Sequence, residues 1–265
     1  MSEIGKFESA LRARRESGGK ILVPYITGGL GDDWIETLHA VAAAGADAIE
    51  VGIPFSDPVM DGPTIQEAND KSLSSGTTPQ SILSAIRDSD IEVPLAVMTY
   101  YNIAFRAGDN RFANDLAEAG ISGCILPDLP LEETGSWTEA ADAADIETIL
   151  LAAPTAPDER LPLICERSRG FVYGVGLVGI TGVRSELAAS AMSIAGRLKA
   201  VTDKPVLVGV GVGTPEQAVE VSTVSDGVVV GSAIVNRMLS GAGPEGVGEL
   251  VAEFRTALDL SLIHI

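Results

Sequence analysis

The stretch Asp47-Ala48-Ile49-Glu50-Val51-Gly52-Ile53-Pro54-Phe55-Ser56-Asp57-Pro58-Val59-Met60-Asp61-Gly62-Pro63 decides how the rest of the chain folds. It begins as a strand, because Ala48, Ile49 and Val51 are small or β-branched and Gly45 and Pro54 bracket the run. Pro54, Pro58, Gly62 and Pro63 then force an irregular loop that carries Asp57 and Asp61. Pro63 suits the first turn of a following helix. A carboxylate such as Glu50 near the end of a hydrophobic strand is costly unless it is paired or in use. Glu50 shares one strand face with Ala48, while Ile49 and Val51 share the other. The branched pair suits a helix-covered side, which turns Glu50 toward the interior.

Outward from this stretch, the same punctuation recurs. Strands are expected at 21–26, 95–98, 122–126, 147–151, 171–175, 205–208 and 227–230, besides the one carrying Glu50. Helical patterns fall between them, at 63–75, 78–88, 109–119, 132–144, 157–166 and 244–258, and after a Gly-rich loop at 177–190. An amphipathic segment at 3–16, with Ile4, Phe7 and Leu11 at helical spacing, precedes the first strand. Eight alternating units with no composition shift predict an all-parallel α/β fold: a single (β/α)8 TIM barrel over 1–265 with an extra N-terminal helix. An open doubly wound sheet is the runner-up. The apolar tail at 260–265 has no assigned role.

Composition narrows the function. The chain has 265 residues, 46% of them hydrophobic, and no apolar run long enough to cross a bilayer. Residues 1–20 lack the apolar centre of a signal peptide, so the expectation is a soluble, cytoplasmic protein. Cys124 and Cys165 stand far apart and read as reduced, buried thiols. With two histidines in the whole chain, a histidine-rich metal site is nearly excluded. A net charge of −19 repels nucleic acid and anionic membranes. Few lysines among many acids suggest a salt-rich cytoplasm, where a Debye length of about 3 Å shrinks that field.

In a barrel the chemistry belongs on the loops after the strand C-termini. The polar residues there are Glu50, Asp61, Tyr100, Tyr101, Asn102, Asp128 and Thr181, with Tyr173 inside a strand. Burial of Glu50 raises its pKa and suits it to acid/base work near neutrality. Gly209-Val210-Gly211-Val212-Gly213 after the seventh strand and Gly231-Ser232 after the eighth let backbone N–H groups approach a phosphate. Gly213 is followed by Thr-Pro, so this is not a Walker loop. Gly179-Ile180-Thr181-Gly182 reads as a loop that closes over a ligand.

The segment from Ile49 to Pro63 closely resembles the signature of the tryptophan synthase α subunit family. Pro24-Tyr25-Ile26-Thr27-Gly28-Gly29, Tyr100-Tyr101-Asn102, Pro127-Asp128-Leu129-Pro130, Phe171-Val172-Tyr173 and Gly231-Ser232-Ala233-Ile234-Val235 extend the likeness over 3–258. The resemblance implies a (β/α)8 barrel that splits indole-3-glycerol phosphate into indole and glyceraldehyde 3-phosphate. It implies Glu50 as the main acid/base and Asp61 as the partner of the indole N–H. Tyr173 would line the pocket, Gly182, Gly211, Gly231 and Ser232 would hold the phosphate, and Thr181 would meet Asp61. The sequence shows no cofactor site in this chain, and none is expected here. Its partner would be a pyridoxal-phosphate β subunit in an α2β2 assembly, contacted through Pro54, Phe55 and Asp57. Val178, Val210 and Met60 depart from the family pattern and affect lid polarity and indole packing. Another phosphate-binding barrel, such as an indole-glycerol-phosphate synthase or an isomerase, is one alternative; the synthase chemistry would call for a strand-end lysine that this sequence lacks. A barrel kept mainly as an allosteric partner is the other alternative.

Overall fold

A computed structural model describes residues 4–176, 184–209 and 211–262. Eight parallel strands close on themselves in chain order. They are β1 (Ile21–Thr27), β2 (Ile49–Gly52), β3 (Leu95–Met98), β4 (Gly123–Ile125), β5 (Glu147–Ala152), β6 (Val172–Gly174), β7 (Val206–Val208) and β8 (Gly227–Val230). Closure is direct: β1 pairs with β8 from Ile21↔Gly227 to Pro24↔Val230, which rules out the open sheet.

Strand parity sorts the side chains. Val23, Ala48, Ala96, Ile125, Ile149, Phe171, Leu207 and Val229 meet inside the barrel. Their neighbours Ile49, Val51, Val97, Val206, Val208 and Val228 join the layer under the helices. Both faces are therefore apolar, which is why these strands read as unbroken hydrophobic runs.

The N-terminal helix, Lys6–Glu16, plugs the bottom of the barrel with Phe7 and Leu11, both fully buried. Its capping position is Gly5, which has no side chain to offer. Glu147 on β5 supplies the cap instead: its carboxylate accepts the Phe7 N–H at 2.6 Å and the Glu8 N–H at 3.1 Å. A Cβ on residue 5 would lie 2.4 Å from the Glu147 carboxyl carbon, so glycine makes the approach possible. Glu147→Ala is expected to cost about 2 kcal/mol, through two orphaned buried N–H groups and a cavity. Thermal unfolding, together with faster amide exchange confined to residues 6–16, checks this. The rest of this end is held by ion pairs. Asp47 accepts the Leu22 N–H at 2.8 Å and pairs with Arg255 at 3.1 Å, and Asp226 binds Lys199 at 2.8 Å.

Several elements differ from expectation. A helix, Tyr101–Ala107, stands where the sequence suggested only loop; Gly108, at φ 90°, separates it from the expected helix, Asp109–Glu118. Two elements expected as single helices open with a 3-10 turn, Leu131–Glu133 and Asp158–Arg160, after Pro130 and Pro157. The Gly-rich loop ends earlier than expected, since Arg184–Lys199 is helical. Glycines at 174–182 made the loop look longer than the helix-favouring residues after them allow. The last helix runs Gly243–Leu260 and absorbs the start of the apolar tail. Residues 263–265 lie outside the described residues.

Candidate active site

Glu50 is the third residue from the C-terminal end of β2 and projects into the barrel. It is flanked in register by Tyr25 of β1 and Ala96 of β3. It is 1% exposed, and its Oε2 has no hydrogen-bond partner. Burial, with the nearby Asp61 charge adding to it, pushes the carboxyl up to about 8. Among the described residues no cation pairs with it, and the raised pKa holds the acid protonated at neutral pH.

Asp61 reaches the same space from the loop after β2. Partial burial raises its pKa to about 6, while the Tyr100 hydroxyl and the Asn69 side chain pull it back down. Tyr100 also accepts the Met60 N–H at 2.8 Å and stacks on Phe55 with centroids 5.0 Å apart. The loop is thus fastened to β3 through one phenol. The two carboxyls share a cavity but differ in environment, so near pH 7 one is an acid and the other mostly an anion.

Two further phenols frame Glu50. Tyr25 and Tyr173 are nearly buried, and burial holds both far above the usual phenol range. Their hydroxyls lie over glycines at neighbouring strand ends. A Cβ at Gly52 would stand 1.9 Å from the Tyr25 oxygen, and one at Gly209 would stand 1.9 Å from the Tyr173 oxygen. These glycines are there for space.

The cavity measures about 300 Å³. At one end lie Gly209, Gly211, Gly231 and Ser232; at the other are Met98, Ile125, Pro127 and Leu151. Gly211 adopts φ 87°, and Ser232 heads the helix Ser232–Leu239 just after Gly231. The cavity is therefore polar-backbone at β7–β8 and aliphatic at β3–β5, with both carboxyls between.

Of the residues expected at the site, Glu50, Asp61, Tyr173, Gly211, Gly231 and Ser232 all line this cavity. Thr181, Gly182, Val178 and Val210 lie outside the described residues. Met60 lines the cavity rim and is 55% exposed. Phe55 is half-buried, Asp57 is exposed and Pro54 is buried within the chain. Asn69 and Tyr25 were not singled out as site residues from sequence. Asn69 carries a readable signal: it sits on the buried stripe Ile65, Ala68, Ser72 of its helix, where a polar residue is out of place. Among the described residues no group of His, Cys, Asp and Glu is arranged to hold a metal ion, and no helix is long and apolar enough to cross a membrane. Cys124 and Cys165 are both buried and unpaired with each other.

Fold and site together define a (β/α)8-barrel enzyme with two carboxyls over a partly apolar cavity at the C-terminal ends of its strands. Residues 11–255 match the family profile described as "Tryptophan synthase alpha chain". A protein of that name from Gloeobacter violaceus is 43% identical over 256 residues, covering 95% of this chain and 91% of its own. The crystal structure of tryptophan synthase from M. tuberculosis, in an aminoacrylate- and BRD0059-bound form, superposes with a TM-score of 0.88 at 35% identity, covering 97% of this chain and 99% of that one. Tryptophan synthase subunit alpha from Legionella pneumophila gives 0.86 at 32% identity, covering 97% and 100%. The chain belongs to the tryptophan synthase alpha chain family. It is a lyase of tryptophan biosynthesis that cleaves indole-3-glycerol phosphate to indole and glyceraldehyde 3-phosphate.

Proposed function

We propose that Glu50 and Asp61 divide the work of this cleavage. The observation that carries the reading is the pair of unlike carboxyls over one cavity, at about 8 and about 6. Glu50, neutral at pH 7, donates its proton to indole C3. The ring nitrogen becomes an iminium, and Asp61, anionic and hydrogen-bonded to the N–H, stabilises that positive charge. The Glu50 carboxylate left behind takes the proton of the side-chain hydroxyl. The O–H electrons form the aldehyde, the carbon–carbon bond breaks, and its electron pair returns to the ring. Indole and glyceraldehyde 3-phosphate leave, and Glu50 is protonated again.

Backbone amides around Gly211 and Gly231 and the start of the Ser232 helix suit the phosphate without a lysine or arginine. Gly182 and Thr181 are assigned to the closed site on the resemblance alone. Tyr173 packs beside the ring. Asp61→Asn keeps the shape and removes the charge. It should lower kcat about a hundredfold, while Tm changes little. Indole release assayed with and without the partner checks this, and an unchanged rate would remove Asp61 from the mechanism.

The same reading gives the chain a pyridoxal-phosphate β subunit in the cytoplasm, as an α2β2 assembly. Support comes from the exposed apolar side chains near the barrel mouth, Val59, Met60 and Phe105, at 81%, 55% and 67% exposure. Val59 and Met60 follow Phe55 and Asp57 on the loop after β2, and Phe105 stands on the helix Tyr101–Ala107 after β3. The net charge of −19 is read as adaptation to a salt-rich cytoplasm.

A further inference from the structure

Asp61 sits on an irregular loop, yet its carboxylate is held from two regular elements. Tyr100 stands between β3 and the helix Tyr101–Ala107 and is buried. Its oxygen accepts the Met60 N–H at 2.8 Å, and its own O–H donates to Asp61. Asn69 lies on the helix Pro63–Ser74 and is 3% exposed. Its Oδ1 has no hydrogen-bond partner among the described residues, so the bond that joins Asn69 to Asp61 is donated by the amide N–H. An orphaned carbonyl in an apolar stripe is costly, which points to the other end of the amide as the reason for the residue. Neither Tyr100 nor Asn69 lines the cavity, so both act through Asp61.

The choice of neutral donors has a chemical reason. Among the described residues, the ionisable groups that face Asp61 are Glu50 from β2, Tyr25 from β1, Tyr173 from β6 and Tyr100; none is a cation. A lysine or arginine would hold Asp61 ionised but would offset the charge that an iminium needs. Two neutral donors stabilise the anion and leave its charge in place. We propose that Tyr100 and Asn69 are positioning residues, a neutral clamp that keeps Asp61 ionised beside the indole N–H; this rests on the role given to Asp61 above. Burial drives the Asp61 carboxyl up to about 6 even with both donors present, so the loss of either moves its titration into the working range. Burial also holds the Tyr100 phenol above its usual range, so it remains a donor throughout.

The test pairs two variants that each remove one donor. Tyr100→Phe keeps the ring and its stack on Phe55, and Asn69→Leu matches the apolar stripe around it. Carbon-13 labelling of aspartate carboxyls, with Asp61→Asn to assign the signal, reads the ionisation of Asp61 directly. In each variant its titration should move up by about one pH unit. The acid limb of kcat/KM should move with it, lowering kcat/KM about fivefold at pH 6, a deficit that shrinks as pH rises toward 8. At pH 5, where Asp61 is mostly neutral in both proteins, Asn69→Leu should unfold at or above the parent's temperature. A Tm well below the parent's there would make Asn69 structural and overturn its part in the clamp. An Asp61 signal that titrates as in the parent in both variants overturns the clamp altogether. A signal that moves while the rate limb stays supports the clamp and removes Asp61 from the cleavage.

Discussion

Glu50→Gln removes cleavage, lowering kcat about a thousandfold or more, and leaves a protein that is more stable in alkali than the parent. The first effect follows because glutamine has no proton to give to carbon and cannot accept one from the hydroxyl. The second follows from burial. Glu50 sits in the barrel with its carboxyl raised from 4.5 to about 8. The native state therefore holds this proton more tightly than the unfolded chain does. Stability is fully present below the ordinary glutamate value and falls as pH rises through about 8, by a total on the order of 5 kcal/mol. Glutamine mimics the neutral acid and loses nothing over that window. The variant's Tm advantage should be absent at pH 4, grow between, and level off above pH 8. The parent's kcat/KM should rise as Asp61 ionises near pH 6 and fall as Glu50 ionises near pH 8. Retained turnover in Glu50→Gln, or a Tm difference independent of pH, would contradict the assignment.

Gly227→Ala is the largest expected structural effect. Gly227 opens β8 and pairs with Ile21 of β1 at the seam that closes the barrel. A Cβ there would stand 2.1 Å from the Ile21 carbonyl oxygen and 2.6 Å from the Ile21 Cβ. The obstacle is backbone, and that backbone is tethered: Ile21 N–H donates to the Asp226 carbonyl at 2.9 Å, and Leu22 N–H donates to Asp47 at 2.8 Å. Relief requires the seam to part. A loss of about 4 kcal/mol and a Tm lower by about 10 °C are expected. Gly135→Ala is the control, because no atom lies within 4 Å of its added carbon and helix propensity favours alanine there. Equal Tm values for the two variants would show that the seam yields.

Much of this was legible in the chain itself, for a physical reason. Strand parity is local, so Ala48 and Glu50 on one side and Ile49 and Val51 on the other already assigned the carboxyl to the interior. The strand count was legible because Gly and Pro punctuate nearly every run. Glu147 shows where such reading stops. It too is a carboxylate in a hydrophobic strand, yet it caps a helix 140 positions away in the chain. Nothing local distinguishes it from Glu50. Only the end of the barrel on which each falls does so, and that depends on closure. The Tyr101–Ala107 helix was missed because seven residues, two of them the Tyr-Asn that follows its N-cap Tyr100, are too few for a helical period to declare itself. Asn69 was missed because its partner Asp61 lies on an irregular loop, whose path no periodicity describes.

The aromatic plug at the foot of the barrel has a further consequence. Phe7 packs on Phe171, and Phe171 on Tyr173, at 6.0 and 5.5 Å, so the shaft below the reacting carboxyl is blind-ended. Among the described residues the foot of the barrel offers no way out for phosphate ester or indole. Traffic in a cul-de-sac clears only by backing out, unless a neighbour stands at the door to collect what emerges. A β subunit seated on that rim would turn a dead end into a hand-over.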